Sequence, residues 1–255
     1  MLKLNFRVQG EGPPLICLHG LLGSLENLGA SARLLAEQFA VHSLDLRNHG
    51  RSFHDEEMSY PLMAADVMAY MDSAGLDQAH MLGHSMGGKA AMQCALGFSQ
   101  RVKRLIVADI APVGYPPHHE QVLAGLNAID PGALKSRQQE DELLSGFVPE
   151  IGIRQFLLKN LEKNGSKGFR WRMNLTAITT NYPLLMADLQ AESSFTGEVI
   201  FVRGGLSDYI KPEYHERILE LFPRAQFSAI PSAGHWLHAE KPMEFVDIVK
   251  RFLLF

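Results

Sequence analysis

The chain alternates short apolar runs with longer amphipathic segments, and this alternation limits the folds open to it. The runs in its first part are four to six residues long and end at turn signals; they cover residues 15–18, 41–46, 79–82 and 105–108. Apolar residues at spacings of three and four fill the intervening segments 25–39, 60–74 and 86–98. Runs of the first kind are typical of buried parallel strands, and those of the second kind of crossover helices. The sequence therefore predicts an α/β fold, with a mostly parallel sheet flanked by helices.

The alternation stops after Asp109 and resumes near residue 199. Residues 112–190 show helical periodicity punctuated by prolines, with no convincing buried strand. The regular pattern then returns, with predicted strands at residues 199–202 and 225–230 and predicted helices at residues 212–222 and 240–254. We therefore expect a core domain of residues 1–111 and 191–255, with a helical cap inserted as residues 112–190.

Composition and charge exclude several classes of protein. The 255 residues are 46% hydrophobic and 20% charged, with a net charge of -4, as in ordinary globular proteins and unlike nucleic-acid-binding ones. The two cysteines, Cys17 and Cys94, lie in apolar runs and offer neither a disulfide framework nor a zinc site. No stretch reaches roughly 18 consecutive apolar residues, and the N-terminus resembles a strand more than a secretory signal. We expect a cytoplasmic protein without a membrane span.

A candidate nucleophile follows the third apolar run. Gly83-His84-Ser85-Met86-Gly87 matches G-x-S-x-G between a predicted strand and a predicted helix, the context in which this motif places a reactive serine on a sharp turn. Glycines at both ends of the motif allow the strand and helix backbones to approach closely. The pattern predicts nucleophilic catalysis by Ser85.

A serine nucleophile of this kind needs N–H donors for the oxyanion that forms during acyl transfer. The residue after the nucleophile supplies one of them, which is Met86, and the glycine-lined turn after the first apolar run supplies the other. In that turn, which begins His19-Gly20, we assign the donor to Leu21. His19 itself is interpreted as a structural ring that holds the loop.

The general base is expected late in the chain. His235 follows the last predicted strand, among small residues that let a loop histidine reach the serine; His238, three residues on, is its competitor. Histidine spacings typical of metal sites are absent from the sequence, so metal-dependent hydrolysis is disfavoured and no cofactor is expected.

The acid that orients the histidine is left open between two aspartates. Asp109 directly ends the run 105–108, and Asp208 lies in the loop after 199–202. Either carboxylate could hold the imidazole and stabilise its charged form.

Two further charged features are not assigned to the chemistry. The loop 45–52, Asp-Leu-Arg-Asn-His-Gly-Arg-Ser, is interpreted as structural, with Arg47 and the aspartate bonding loop backbone. Lys89 lies near a predicted helix N-terminus, where the helix dipole disfavours a cation, so it either pairs with an aspartate or projects into the cleft.

Together these motifs resemble the α/β-hydrolase superfamily over essentially the whole chain. HGLLGSLENLG, DLRNHGRS, GHSMGGKAAM, DIAPV and AGHWLHAEKP are similar to bacterial YbfF-type esterases and the abhydrolase-11 group. The resemblance implies an α/β-hydrolase sheet with a helical cap, hydrolysis of short acyl esters, and activity on acyl-CoA thioesters in some members. It also favours Asp109 over Asp208 as the acid, because the aspartate of the DIAPV block holds that place in the group.

The sequence predicts a serine hydrolase that cleaves short-to-medium acyl esters through an acyl-enzyme, with a small-molecule substrate. A thioesterase using the same residues is the first alternative, since basic residues of the cap could bind CoA phosphates: Arg137, Arg154, Lys159, Lys163, Lys167, Arg170 and Arg172. A carbon–carbon bond hydrolase and a non-catalytic binding protein on the same fold are further alternatives. The oligomeric state is not predicted.

Overall fold

The computed structural model describes residues 3–134, 136–165 and 168–255. Its strands are β1 (Phe6–Gln9), β2 (Pro14–Leu18), β3 (Ala40–Leu44), β4 (Ala79–His84), β5 (Val102–Ala108), β6 (Leu161–Lys163), β7 (Phe169–Trp171), β8 (Glu198–Gly204) and β9 (Ala225–Ile230). Its α-helices are α1 (Gly29–Leu35), α2 (Tyr60–Ser73), α3 (Met86–Gly97), α4 (Glu120–Ala128), α5 (Arg137–Ser145), α6 (Ile151–Leu158), α7 (Leu175–Met186), α8 (His215–Leu221), α9 (Leu237–Glu240) and α10 (Pro242–Leu254).

Seven of these strands form one sheet in the order β1-β3-β2-β4-β5-β8-β9. Its neighbours pair in parallel, except that β1 runs antiparallel to β3. The chain passes from β2 outward to β3 and then returns to β4 on the other side of β2, so the strand order reverses there. A crevice opens beyond the carboxyl ends of parallel strands at such a reversal. The loops after β2 and β4 therefore lie where a ligand can bind, and the predicted mostly parallel α/β sheet is confirmed.

Apolar side chains cover both faces of the sheet. Along β2, Leu15 and Cys17 pack into a cluster that includes residues of α1 and α10. Ile16 and Leu18 point the other way, into a cluster that includes residues of α2 and α3. Successive side chains of a strand alternate between faces, so a strand buried on both faces must be apolar throughout. This is why β2 and the second half of β5 appear as continuous apolar runs in the sequence.

The segment between β5 and β8 contains α4 to α7 together with a short antiparallel hairpin of β6 and β7. We expected helices alone in this region. The hairpin differs from that expectation because each of its strands has only three residues, too few for an alternating pattern to be recognised.

Lys89 of α3 ties both ends of this segment to the core. Its ammonium donates hydrogen bonds to the carbonyl oxygens of Val113 and Ala187, each at 2.7 Å. Burial lowers the pKa of Lys89 to about 8, while the nearby Asp188 opposes the shift. Among the described residues, no aspartate is hydrogen bonded to Lys89. The lysine instead lines a small cavity together with Ser85, and it holds the two ends of the segment next to each other.

Glu140 of α5 is a buried carboxyl group, and neither of its carboxyl oxygens has a hydrogen-bond partner among the described residues. Burial raises the pKa of Glu140 from 4.5 to about 7; Arg137 opposes this shift and Asp141 adds to it. The pKa in the folded chain lies above its unfolded value, so the folded chain binds more protons between these two pH values. The free energy of unfolding therefore decreases as the pH rises through about 7.

Glu140→Gln keeps the shape of the side chain and removes its ionisation. We expect the variant to melt about 2–4 °C higher than the wild type at pH 8, and at nearly the same temperature below pH 5. Thermal unfolding followed by circular dichroism measures both values. Glu142→Gln, at an exposed position of the same helix, is the control and should change neither. Equal melting temperatures of Glu140→Gln and wild type at pH 8 would contradict the assigned cost of ionisation.

Among the described residues, no helix combines the length and the apolar character needed to cross a membrane.

Candidate active site

Ser85 stands on a sharp turn between β4 and α3. Its backbone adopts a left-handed conformation with φ of 54°, which is uncommon for a residue with a side chain. A Cβ on Gly83 would lie 2.1 Å from the carbonyl oxygen of Gly87, and one on Gly87 would lie 2.3 Å from that of Leu18. Side chains larger than hydrogen are excluded at both positions, as the motif predicted.

Ser85, His235 and Asp109 are joined in series by hydrogen bonds. The Ser85 Oγ lies 3.1 Å from His235 Nε2, and His235 Nδ1 lies 2.7 Å from Asp109 Oδ2. The carboxylate is fully buried, while about a quarter of the imidazole is exposed toward the cleft. With the Nδ1 proton donated to the carboxylate, Nε2 is free to accept the serine proton. This arrangement suits a nucleophile, a general base and an orienting acid.

The structure brings Asp109 rather than Asp208 to the histidine. Asp109 follows β5 with φ of 52°, and its carboxylate also accepts hydrogen bonds from the Gly204 backbone N–H at 2.9 Å and from the Ser207 hydroxyl. Asp208 is exposed, and no hydrogen bond or ion pair joins its carboxylate to another described residue. Of the two aspartates that the sequence left open, Asp109 is thus the one that lies within hydrogen-bond distance of His235.

The backbone N–H groups of Leu21 and Met86 have no protein acceptor among the described residues. Met86 is the first residue of α3, whose first N–H groups are unpaired within the helix and lie at its positive end. Leu21 belongs to the loop that follows β2. Both residues contact the same cavity as Ser85. The assignment of these two N–H groups as oxyanion donors stays a prediction, and their position beside Ser85 is compatible with it.

Neutral histidines hold the loops around the site. His19 accepts a hydrogen bond from the Leu46 N–H at Nε2 and contacts the Gly20 carbonyl through Nδ1. His49 accepts from the Leu22 N–H in the same manner, and burial lowers its pKa to about 3. His19 thus has the loop-holding contacts expected of it.

The charged loop after β3 also has structural contacts. Asp45 accepts hydrogen bonds from the backbone N–H groups of Leu25 and Arg51. Arg47 pairs with Asp66 of α2 at 2.6 Å. Both side chains therefore bind loop backbone as expected, since Arg47 also donates to the Glu57 carbonyl at 3.0 Å.

Further residues support His235 and were not anticipated. His84 Nε2 lies 2.8 Å from the His235 carbonyl oxygen, to which it can donate. The ring of Tyr209 stacks on the imidazole with centroids 4.0 Å apart. Ser207, as described, binds the acid. No local motif marks Tyr209 or Ser207, although Ser207 directly precedes Asp208, and His84 lies inside the G-x-S-x-G motif.

His238 has a different environment from its competitor. It is buried, its ring lies 4.3 Å from that of His84, and its Nδ1 has no hydrogen-bond partner among the described residues. Burial, with a further contribution from His235, lowers the pKa of His238 to about 3. The imidazole hydrogen bonded to Ser85 belongs to His235 instead.

A groove of about 670 Å³ opens over Ser85 and His235. Its walls include apolar residues of the inserted segment and Trp236, whose ring lies 5.8 Å from that of Phe156. Of the described basic residues between 137 and 172, only Lys159 lines the groove. Arg154 and Arg170 are paired with carboxylates at 2.7 and 2.6 Å, and Lys167 lies outside the described residues. The exposed surface of the groove is therefore mostly apolar, with Asn27, Glu240 and several histidines also in its wall and Lys159 as the basic residue from this set.

Comparison with known proteins agrees with this architecture. A sequence profile described as the alpha/beta hydrolase fold matches residues 13–143. Esterase YbfF of Escherichia coli is 36% identical over 258 residues, covering 99% of each chain. The chain belongs to the α/β-hydrolase family. The sn-1-specific diacylglycerol lipase ABHD11 of Mus musculus is 39% identical, covering 94% of this chain and 81% of that protein. The structure of a marine microorganism esterase matches with a TM-score of 0.96 and 40% identity, over 99% of this chain and 100% of the other.

These similarities confirm the resemblance to YbfF-type esterases and the abhydrolase-11 group. Relatives named as esterases and lipases match this α/β hydrolase over nearly all of its length. It is an esterase/lipase-type hydrolase that acts on carboxylic esters.

Proposed function

We propose that this chain hydrolyses short-to-medium acyl esters through a covalent acyl-enzyme on Ser85, with His235 as general base and Asp109 as the orienting acid. The hydrogen-bonded series of these side chains is the observation that carries the proposal. Residues 112–190 form the cap over the site, and residues 1–111 and 191–255 form the catalytic domain. All of the proposed proton transfers use side chains of the protein and water.

The first half of the reaction forms the acyl-enzyme. Ser85 Oγ attacks the ester carbonyl carbon while its proton passes to His235 Nε2. Asp109 stabilises the resulting imidazolium through Nδ1–H. The carbonyl oxygen becomes negatively charged and accepts hydrogen bonds from the Leu21 and Met86 N–H groups, each of which contributes about 3–4 kcal/mol. His235 then gives its proton to the leaving oxygen, the ester bond breaks and an alcohol departs.

The second half consumes water. His235 Nε2 removes a proton from a water molecule, whose oxygen attacks the acyl carbon held on Ser85. The second oxyanion uses the same two N–H donors. When the bond between Ser85 Oγ and the acyl carbon breaks, the imidazolium returns the proton to the serine, and a carboxylic acid leaves the restored enzyme.

The groove supports an ester in preference to a CoA thioester as the main substrate. Its lining is rich in apolar side chains, and Lys159 alone supplies a cation among the described basic residues of the insertion. Binding several phosphate charges favours a cluster of Arg and Lys side chains. We therefore expect a higher kcat/KM for a butyrate ester than for butyryl-CoA.

Covalent labelling tests the nucleophile. Diisopropyl fluorophosphate is expected to abolish esterase activity as one phosphoryl group bonds to Ser85 Oγ and fluoride leaves, and peptide mass spectrometry locates the group. His235→Gln, which lacks the general base, is the control. Its labelling rate should be lower by at least about 100-fold. Full labelling of Ser85 with hydrolysis undiminished, or inactivation by a label on another residue, would refute the mechanism.

A further inference from the structure

A second, small cavity lies beside Ser85, and we call it the chamber. Its volume is about 30 Å³, and its walls include Met86, Ile110, Leu185 and Met186 together with tyrosine, histidine and lysine side chains. Ser85 and Leu21 line both the chamber and the groove described above. The nucleophile therefore stands where two spaces of very different size meet.

The position of His235 distinguishes the two spaces. His235 lines the groove and is not part of the chamber wall, whereas Met86, which carries one of the unpaired N–H groups, lines the chamber and not the groove. During acylation the leaving oxygen must lie within reach of His235 Nε2 to take up its proton. The leaving group then extends into the groove, and the acyl substituent is directed to the other side of the carbonyl carbon, into the chamber.

The chamber limits the length of the acyl group. A cavity needs about 10–15 Å³ to take up one water-sized group, so the chamber has space for roughly two or three groups of methyl or methylene size. Its walls are fixed from several directions: Tyr60 donates a hydrogen bond to the Leu185 carbonyl at 2.7 Å, and Lys89, which also lines the chamber, holds both ends of the inserted segment. The groove is more than large enough for a bulky apolar leaving group.

From this arrangement we propose that the preferred substrates are esters of short acids, with roughly two to four carbons in the acyl group, and large apolar alcohols. The proposal rests on the proposed acyl-enzyme mechanism and assigns the two sides of its substrate. The acid is selected by the chamber, and the alcohol by the groove.

Isomeric esters test this assignment without a change in overall composition. Octyl acetate and ethyl octanoate have the same formula, but they place the long chain on opposite sides of the ester bond. We expect kcat/KM for octyl acetate to exceed that for ethyl octanoate by about 30-fold or more, because the octanoyl chain overfills the chamber. Acid release measured at constant pH gives both values. A ratio of one or less would overturn the assignment.

Substitution of two matched leucines tests the chamber and the groove separately. Leu185 lines the chamber only and Leu157 the groove only, and both are buried in the inserted segment. Leu185→Ala is expected to lower the ratio of octyl acetate to ethyl octanoate activity at least tenfold by raising activity on ethyl octanoate, since it admits the longer acid. Leu157→Ala, which enlarges only the groove, should not raise activity on ethyl octanoate. Met186→Ala, on the chamber wall, serves if Leu185→Ala fails to fold. An unchanged ratio in every folded chamber variant would also overturn the assignment.

Ser85→Ala distinguishes failure of this inference from failure of the mechanism. If the folded variant still hydrolyses both isomers at the wild-type rate, the proposed nucleophile is wrong. If Ser85→Ala is inactive but the wild type prefers ethyl octanoate, the mechanism stands and only the assignment of chamber and groove is overturned.

Discussion

Replacement of Ser85 by alanine is expected to lower kcat for p-nitrophenyl butyrate by about five to six orders of magnitude. The variant cannot form the acyl-enzyme, so hydrolysis must proceed by direct attack of water. The unpaired Leu21 and Met86 N–H groups remain in place and still favour the oxyanion, which leaves a rate above that of the uncatalysed reaction. Steady-state kinetics with enzyme free of wild-type traces measures the loss.

Ser31→Ala is the matched control for the loss of a buried hydroxyl group. Ser31 lies in α1, is almost fully buried, and contacts the His238 carbonyl at 3.3 Å. Its replacement should leave kcat within about twofold, as for substitutions remote from the chemistry. Circular dichroism establishes that both variants are folded. Activity of Ser85→Ala within tenfold of the wild type would show that another group performs the attack.

Asp109→Asn is expected to lower kcat by about four orders of magnitude while leaving KM little changed. The asparagine amide can present an N–H to His235 Nδ1 in place of a carboxylate oxygen. The imidazole proton then moves to Nε2, where it faces Ser85 Oγ and prevents the ring from accepting the serine proton. The geometry of the site is retained but the tautomer of the histidine is wrong.

Asp208→Asn is the matched control in the neighbouring loop. Its carboxylate is exposed and makes no contact with the imidazole, so we expect kcat to stay within about twofold of the wild-type value. Asp109→Asn should alter the dependence of kcat/KM on pH, whereas Asp208→Asn should not. A larger loss in Asp208→Asn than in Asp109→Asn would reverse the assignment of the acid.

These experiments address residues that were predicted from sequence to different degrees. The turn at Ser85 could be predicted because its glycines are required by local geometry, between a strand and a helix that neighbour each other in the chain. His235 could be placed at the carboxyl end of the last parallel strand, where loops converge on the crevice. Both inferences depend on strand order and short-range pattern, which the sequence carries directly.

Other features depend on contacts that the sequence does not express locally. The stacking of Tyr209 on the imidazole and the hydrogen bond between His84 and the His235 carbonyl join segments far apart in the chain. The hairpin of β6 and β7 escaped prediction because three-residue strands carry too little periodicity. Lys89 was recognised as an unusual cation, but its two carbonyl partners come from both ends of the insertion.

The sequence by itself determined the α/β class, the sheet buried on both faces, the serine turn and the late histidine, because each follows from periodicity or from the steric demands of neighbouring residues. Only the tertiary structure shows which of Asp109 and Asp208 lies beside the imidazole, and it is Asp109. Both aspartates follow strands of the same sheet, and the choice depends on which carboxylate faces the imidazole across the loops after β5 and β8. The two unequal spaces around Ser85 are likewise visible only in the tertiary structure, since the chamber and the groove are lined by side chains that only folding brings together.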